Sequence, residues 1–303
     1  MDYNQLKTFV AVVEAGSFSR AGDKLFLSQP TVTTQIKLLE QELSRQLLTR
    51  STNGIQVTED GQRIFEYAKR ALRERDNILG EFGKSTTGIQ TINLAASSIP
   101  GQYVLPGIIG AFRKKNPKVR IQLKICNSAK VCQALLARLA DLGLGGSDSF
   151  QGECDYLPVV EDPLVVITPD AAPFNTLPVE AAFPEELLKK VPFVIREEGS
   201  GSRREFEKWL HRHTSSCEVN IAAVINDNQA IKKTVAAGTG ISVMSARAVQ
   251  DFVKEGWLRT FPLEGTADRK LYLVKRKKHK LMGEIAAFYQ FIQEYTVKNK
   301  MNL

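Results

Sequence analysis

Three short helix-forming segments follow one another within the first 43 residues, and each starts at a residue that caps helices. Asp2, Ser17 and Ser28 are the candidate N-caps, because their short side chains accept hydrogen bonds from the free N–H groups of a first helical turn. Apolar residues then recur at helical spacing, and Gly16 ends the first segment. Helices this short bury their apolar stripes against each other. The sequence therefore predicts a small helical head that contains a helix-turn-helix.

The third helix carries small polar side chains on the face opposite its apolar stripe, which Val32, Ile36 and Leu39 define. Threonine is a mediocre helix former, so its repeated use on the outer face indicates a role other than folding. Short hydroxyl and amide groups near a helix N-terminus fit a DNA major groove and a backbone phosphate. An ordinary three-helix packing unit is the alternative that spacing alone leaves open. The residues of this polar face are Ser28, Gln29, Thr31, Thr33, Thr34 and Lys37.

A hairpin and a long helix follow the third helix. Asn53, which is followed by glycine, favours a tight turn between two short strands that would form a wing with Arg50 at its base. A helix capped by Thr58 then runs to about Phe82, and its apolar stripe is too long to be buried by the head alone. Pairing with the same helix of a second chain would bury this stripe, and packing against the C-terminal part of the same chain is the alternative. Residues 83–88 predict a flexible linker.

From residue 89 onward strands alternate with helices, which predicts an α/β body of βαβ units with parallel strands. The pattern divides into two lobes. Residues 89–160 and 268–303 predict lobe I, and residues 161–267 predict lobe II. The chain is expected to cross between the lobes near Leu157–Pro163 and Glu264–Arg269. Two lobes with two crossings predict a hinged receptor with a ligand cleft.

Ligands of open α/β sheets bind beyond the carboxyl ends of the strands, and three of these ends are rich in hydroxyl groups. The segment after Ile195 also carries glycines, which allow close approach of the backbone, and a helix start, whose N–H groups suit an anion. A small anionic effector is the predicted ligand, and a plain Gly-Ser helix cap is the structural alternative. The predicted effector-binding residues are Ser97, Ser98, Ile99, Asn127, Ser128, Ser200, Gly201, Ser202 and Arg203.

Composition and motif spacing restrict the remaining classes of function. The 303 residues carry a net charge of +8, which permits a polyanionic partner without requiring one, although the charges of residues 1–58 nearly cancel. No signal peptide or membrane span stands out, and four cysteines without metal-ligand spacing predict a reduced, cytoplasmic protein without metal or cofactor. No catalytic arrangement stands out at a motif spacing, so no enzyme is expected. An enzyme or solute-binding protein on the same bilobal fold, or a thiol-based redox sensor that uses Cys126, are the alternatives.

Two stretches of the head closely resemble the LysR-type transcriptional regulators: LKTFVAVVEAGSFSRAGDKLFLSQPTVTTQIKLLEQEL, followed by LLTRSTNGIQVTEDG. The resemblance is dense over residues 2–65 and architectural beyond them. It implies a winged helix-turn-helix domain (residues 1–58), a linker and dimerisation helix with a hinge (59–88) and a bilobal effector domain (89–303). That effector domain would resemble type 2 periplasmic binding proteins, and many family members bind small carboxylates or sulfur-containing anions there.

The resemblance also implies partners: double-stranded promoter DNA, a homodimer and usually a homotetramer, and RNA polymerase if the chain is an activator. Two positions depart from the family pattern. Asn53 and Thr34 stand where many members carry a basic residue, which predicts weaker anchoring to phosphates. The effector, the target genes and the sign of regulation stay open. By position, the implied DNA contacts are Gln29, Pro30, Thr33 and Thr34, with Arg50 at the wing.

Overall fold

Two compact units make up the chain, Met1–Gln90 and Thr91–Leu303. Predictions for Asn53, for a helix end at Phe82 and for the linker at 83–88 fall outside the described residues. Within the part of the chain that is described, no helix is both long and apolar enough to cross a membrane. A computed structural model describes residues 1–51, 54–81, 90–146, 152–178, 181–213, 219–266 and 268–298.

The described residues of the first unit form short helices, a hairpin and a long helix, as the sequence predicts. These elements are α1 (Tyr3–Ala15), α2 (Phe18–Leu25), α3 (Gln29–Leu43), β1 (Leu48–Ser51), β2 (Gly54–Val57) and α4 (Glu59–Glu81). The two strands pair antiparallel, with Leu48 opposite Val57. Phe9, Val32 and Leu39 are fully buried at the centre of this unit. The predicted helical head is therefore confirmed.

The caps of the head helices also follow the sequence prediction. The carboxylate of Asp2 accepts from the N–H of Gln5, whose side chain accepts in turn from the N–H of Asp2. The hydroxyl of Ser28 accepts from the N–H of Thr31 at 3.3 Å. Caps of this kind stabilise a helix by about 1 kcal/mol each. Gly16 ends α1 with a φ of 61°, a left-handed conformation that glycine adopts without strain.

The first half of α4 packs on the head, and the apolar stripe continues beyond it. Phe65 and Leu72 pack against the head core, and Ala68 is fully buried there. Ile78 lies further along the same helix and is 52% exposed. The stripe is therefore longer than the surface that the head offers to it.

The second unit alternates strands and helices. Its elements in chain order are β3 (Gln90–Ser97), α5 (Leu105–Lys115), β4 (Val119–Cys126), α6 (Ser128–Leu136), β5 (Leu142–Gly145), β6 (Cys154–Glu161), β7 (Leu164–Pro169), α7 (Glu185–Lys190), β8 (Phe193–Arg196), α8 (Gly201–His213), β9 (Ile221–Ile225), α9 (Asn228–Ala236), β10 (Ser242–Ser245), α10 (Gln250–Lys254), β11 (Leu258–Pro262), β12 (Lys270–Arg276) and α11 (Gly283–Lys298). The sheet of lobe I has the strand order β4-β3-β5-β12-β6. Lobe II contains a sheet of order β10-β7-β11 and the pair β8-β9.

The last helix returns to lobe I, as the sequence predicts. Phe288 of α11 packs edge to face on Phe112 of α5, with ring centroids 4.7 Å apart, and both side chains are buried. Aromatic pairs in this geometry add about 0.5–1.5 kcal/mol beyond the burial of their area. Lobe I is therefore built from both ends of the second unit.

The sheets are mixed, and the prediction of parallel sheets is wrong for several pairs. Strands β3 and β5 are parallel, as are β8 and β9. However, β12 runs antiparallel to β5 and β6, and β7 runs antiparallel to β10 and β11. Strands β7 and β12 each follow a crossing between the lobes. A βαβ connection makes the strands that it joins parallel, but a crossing between lobes does not, so these two strands can run antiparallel to their neighbours.

The two crossings between the lobes are adjacent. Residues 157–161 belong to β6, so the first crossing is Asp162 and Pro163 and is shorter than predicted. The second crossing lies between β11 and β12, where it is expected. The N–H of Asp162 donates to the carbonyl of Arg269 at 2.8 Å, which joins the two crossings side by side. The predicted hinge between the lobes therefore consists of two adjacent segments.

Helical structure after β3 begins earlier than the expected start at Leu105. Ser98 and Ile99 are already helical, and a π-helical turn covers Pro100–Val104 before α5 begins. The pair Pro100-Gly101 is typical of a break in a helix. Proline is nevertheless tolerated in a first helical turn, because its missing N–H needs no partner there. Ser98 therefore lies at the start of a helix.

Lys232 is fully buried in lobe II and forms an ion pair with Asp251. The ammonium group donates to both carboxylate oxygens at 2.7 and 2.8 Å and lies 4.4 Å from the ring centre of Phe252. Partial burial raises the pKa of Asp251, but the hydrogen bonds from Lys232 and the backbone outweigh it and hold the pKa below 3.8. The pair therefore stabilises the fold at neutral pH.

Asp251→Ala is expected to lower the free energy of unfolding by about 2 kcal/mol at pH 7, because the ammonium of Lys232 stays buried without its partner. The figure is below that of a fully buried pair, since the carboxylate is 55% exposed and water screens it. A lowered folded-state pKa gives stability that is present above pH 3.8 and lost as pH falls through the folded value. Urea unfolding at pH 7 and pH 3 measures both effects. Asp170→Ala, which breaks a partly exposed pair with Arg259, is the control and should change stability by less than about 0.5 kcal/mol.

Candidate nucleic-acid interface and effector cavity

The N-terminal half of α3 presents a face of small polar side chains to solvent. Val32 and Ile36 are buried in the head core, which turns the opposite face outward. Thr33 is half-buried, and its hydroxyl donates to the carbonyl of Gln29 at 3.0 Å. The exposed residues of this face are Ser28, Gln29, Pro30, Thr31, Thr34 and Lys37.

Contacts within the helix-turn-helix orient the first side chain of α3. The hydroxyl of Ser19 on α2 donates to the amide oxygen of Gln29 at 3.0 Å. The amide nitrogen of Gln29 remains a donor, and side-chain amides are well suited to adenine edges in the major groove. In the hairpin Arg50 pairs with Ile55 across the strands. The face is therefore preorganised by its own unit.

All but one of the predicted effector residues surround a single cavity between the lobes. Ser97 ends β3, Asn127 caps α6, and Gly201 opens α8. The cavity has a volume of about 20 Å³, which is room for roughly one water molecule. Its lining residues are Ser97, Ser98, Ile99, Asn127, Ser128, Arg196, Ser200, Gly201, Ser202 and Arg269.

The lining of the cavity is rich in donors. The side chains of Ser97, Ser128, Ser200 and Ser202 are buried, and the last two hydroxyls lie 3.1 Å apart. Among the residues that the structure describes, the lining includes two arginines and no carboxylate. Buried hydroxyl and guanidinium groups need acceptors, so this environment favours an anion.

The two lobes touch directly at the rim of the cavity. The amide nitrogen of Asn127 donates to the carbonyl of Glu198 at 3.4 Å, and the N–H of Ala129 donates to the carbonyl of Gly199 at 3.4 Å. A Cβ atom at position 201 would lie 2.7 Å from the hydroxyl oxygen of Ser128. A side chain at position 201 would therefore have to displace the hydroxyl of Ser128, and the lobes lie in direct contact here.

Arg203, predicted as a source of positive charge for the anion, does not line the cavity. Its Nε donates to Glu207 at 2.7 Å, and its Nη1 donates to the carbonyl of Arg196 at 3.1 Å. The pair with Glu207 spans one turn of α8 and holds the guanidinium along the helix.

Arg196 lines the cavity instead and was not anticipated from the sequence. Its side chain is 6% exposed, and it donates to Glu197 through Nε at 2.8 Å and Nη2 at 3.1 Å. Its remaining nitrogen, Nη1, donates to Asn228. The charge of this arginine is thus balanced within lobe II. An arginine that ends a buried apolar strand was the signal available in the sequence.

Arg269, the second arginine of the lining, was also not predicted from the sequence as a cavity residue. Its side chain is 7% exposed, and its Nη1 donates to the carbonyl of Asp162 at 3.0 Å and to the carboxylate of the same residue. Asp162 is fully buried and also accepts from the hydroxyl of Ser245. Arg269 lies in the second crossing and gave no local signal in the sequence, because its partner Asp162 is 107 residues away.

The described cysteines are in environments that disfavour the reactive thiolate. Burial raises the pKa of Cys126 and Cys132, and it raises the pKa of Cys154 to about 11 with help from neighbouring acidic groups and Cys132. Thiolates are the nucleophiles in thiol oxidation. These pKa directions weigh against the alternative of a redox sensor that uses Cys126.

Two family descriptions match this chain. The LysR substrate binding domain matches residues 87–296, and the bacterial regulatory helix-turn-helix protein, lysR family, matches residues 3–62. The RuBisCO operon transcriptional regulator of Allochromatium vinosum is 30% identical over 292 residues, which cover 95% of this chain and 94% of that protein.

Other similar proteins agree with these matches. The uncharacterized HTH-type transcriptional regulator YeiE of Escherichia coli K12 is 32% identical over 254 residues, 84% of each chain. The crystal structure of full-length CbnR in complex with its target DNA has a TM-score of 0.70 at 22% identity, and the match covers 97% of this chain and 99% of that one. At that identity the structural likeness shows the fold alone. The family matches and the relatives together show that this chain belongs to the LysR family of helix-turn-helix transcriptional regulators.

Proposed function

We propose that this LysR-type regulator binds promoter DNA through the polar face of α3, and that a small anion between its lobes changes this binding. Residues 1–58 would contact DNA, residues 59–88 would pair two chains, and residues 89–303 would bind the effector. The donor-rich cavity is the observation that supports an anionic effector, because its described lining residues provide two arginines and buried hydroxyls but no carboxylate.

The proposed mechanism is a shift between populations of lobe arrangements. An anion that binds the closed lobes more tightly than the open ones favours closure by its difference in affinity. The paired crossings at Asp162 and Arg269 are the segments about which the lobes would move. Each effector domain is tethered to a DNA-binding head, so a change in closure changes how two paired heads meet their half-sites.

The proposal extends to the setting in which the regulator works. The relatives are transcriptional regulators by name, which supports a regulatory and non-catalytic role. We further propose that dimers associate into a tetramer on DNA, that an activating form contacts RNA polymerase, and that the protein works in the cytoplasm, where bacterial promoter DNA lies.

Binding to the upstream region of the protein's own gene tests the proposed DNA function. Fluorescence anisotropy is expected to give an affinity for that duplex about 1,000-fold higher than for a random duplex of equal length. Because the head has few net charges, the slope of log K against log salt should be shallow, about −4 for two heads. Equal affinity for the random duplex at every salt concentration would remove the proposed function.

Ile78→Asp is expected to weaken dimerisation by about 10- to 100-fold, because a carboxylate replaces an exposed apolar side chain of the α4 stripe at the proposed contact. Sedimentation equilibrium of the full chain measures the dimer dissociation constant. Gln62→Asp places the same charge on an exposed position near the start of the same helix and is the control. Dimers of equal strength in both variants would contradict pairing through the second half of α4.

A further inference from the structure

Arg269 is the residue at which the effector cavity and the hinge meet. Arg269 forms part of the cavity wall. Its guanidinium donates through Nη1 to the carboxylate and the carbonyl of Asp162, which lies in the other crossing. One side chain therefore contacts the ligand space and holds the two crossings together.

The other edge of this guanidinium has an unused donor. Within the described part of the chain, the Nε of Arg269 is buried and has no hydrogen-bond partner. An unpaired buried donor of this kind costs about 1–3 kcal/mol, more when it is charged. Gly146 packs closely against the guanidinium, because a Cβ atom there would lie 2.5 Å from Nη2. The Nε edge of arginine presents two parallel N–H groups, which match the two oxygens of a carboxylate, sulfate or phosphate.

Among the described residues, the charges around the crossings leave one positive charge without a balancing carboxylate. Arg196 is neutralised by two hydrogen bonds to Glu197. Asp162 is shared by two arginines, since its carboxylate pairs with Arg269 and also lies 3.7 Å from the Nε of Arg247. A bound anion would balance the second arginine. Because these groups are buried or partly buried, water screens the interaction less than it would at the surface.

We propose that Arg269 binds the effector anion through its Nε edge and couples that binding to the hinge through Asp162. This inference rests on the proposed effector function and adds the ligand class and the coupling residue. The proposed ligand is a compact oxyanion, because the lobes touch directly at the rim of the cavity, and they would have to separate slightly to admit it to a space of about 20 Å³. Once bound, the anion and Asp162 share one guanidinium, so the strength of the link between the crossings depends on occupancy of the cavity.

Calorimetric titration of the full chain with sulfate, phosphate and acetate, with glycerol as the neutral probe, tests the assignment. At least one of the three anions is expected to bind saturably, one per chain, and glycerol is expected not to bind. Arg269→Gln should weaken that anion by about 10- to 100-fold, since it loses a charged bidentate contact. Arg259→Gln is the matched control, because Arg259 also donates to backbone carbonyl oxygens and pairs with an aspartate, and it lies outside the cavity lining. Equal weakening in both variants, or in neither, overturns the proposal.

Two further variants separate binding from folding and from coupling. Arg269→Lys keeps the positive charge but loses the planar guanidinium, so anion binding about tenfold weaker than in the wild type is expected. This variant tests the role of Arg269 in binding if Arg269→Gln does not fold. Asp162→Asn removes the competitor for Arg269, so anion affinity should not fall, while the effect of the anion on DNA affinity should disappear. An Asp162→Asn protein that still responds to the anion overturns the coupling.

The same titrations distinguish this inference from the proposed function. If the wild-type chain binds its upstream DNA specifically but binds none of the three anions, the inference is overturned and DNA binding stands. If an anion binds through Arg269 while DNA binding is not specific, the proposed DNA function is removed and the assignment of Arg269 stands.

Discussion

Replacing Thr34 by glutamate is expected to lower the affinity of the full chain for its upstream promoter DNA by about 100-fold. Thr34 is exposed on the polar face of α3, beside the buried Val32 and Ile36 that fix the orientation of the helix. A base contact is worth about 1–3 kcal/mol, and a carboxylate so close to phosphates adds repulsion. Anisotropy titration at fixed salt measures the change, and thermal unfolding should be unaltered because the site is on the surface.

Asn4→Glu is the matched control for this substitution. Asn4 is an exposed residue of α1 in the same unit, so the variant carries the same added charge. The amino group of Met1 pairs with Glu42 near the end of α3, which places the start of α1 away from Ser28. DNA affinity within about threefold of wild type is expected for this control. If Thr34→Glu binds as well as Asn4→Glu, the α3 face is not the DNA-binding surface.

Gly201→Val is expected to lower anion affinity by about 100-fold and to abolish the response of DNA binding to the anion. Even a single Cβ atom at this position would lie 2.7 Å from the hydroxyl oxygen of Ser128 and 3.5 Å from the carbonyl oxygen of Gly146. The larger side chain fills the cavity and holds the lobes apart, which removes contacts worth several kcal/mol. Calorimetry with the anion that binds the wild-type chain, followed by anisotropy with and without that anion, measures both effects.

DNA affinity without anion is expected to stay within about threefold of wild type in Gly201→Val, because the substitution lies outside the head. Gly110→Val is the control, since a Cβ atom at Gly110 on α5 meets no atom within 4 Å. That variant should keep both anion affinity and the DNA response. A Gly201→Val protein that binds the anion like this control would show that the cavity is not the effector site.

The head could be predicted from sequence because its determinants are local. The caps at Asp2, Ser17 and Ser28 lie within three residues of the N–H groups that they accept from. The buried stripe of α3 follows from helical spacing alone, and the hairpin follows from one turn signal. Each inference needed only the chemistry of neighbouring residues, so the element bounds agree closely with the structure.

In the second unit, several contacts depend on residues that are distant in sequence, and local patterns did not predict them. The hydroxyl-rich strand ends predicted the cavity, but the arginines in its lining depended on distant partners. Arg203 lies in α8, where the helical register places its side chain along Glu207. Arg196, seven residues earlier at the end of β8, lines the cavity instead. Arg269 meets Asp162 across 107 residues. Strand direction in β12 likewise depends on a crossing that no local pattern encodes.

The closed contact between the lobes has a kinetic consequence. Asn127 and Ala129 bond directly to the backbone of Glu198 and Gly199 at the rim, and the space within holds roughly one water molecule. We therefore expect the proposed anion, which is larger than water, to enter only after the lobes separate. In stopped-flow mixing the observed rate should level off at high anion concentration, at a plateau set by the opening of the lobes and not by diffusion.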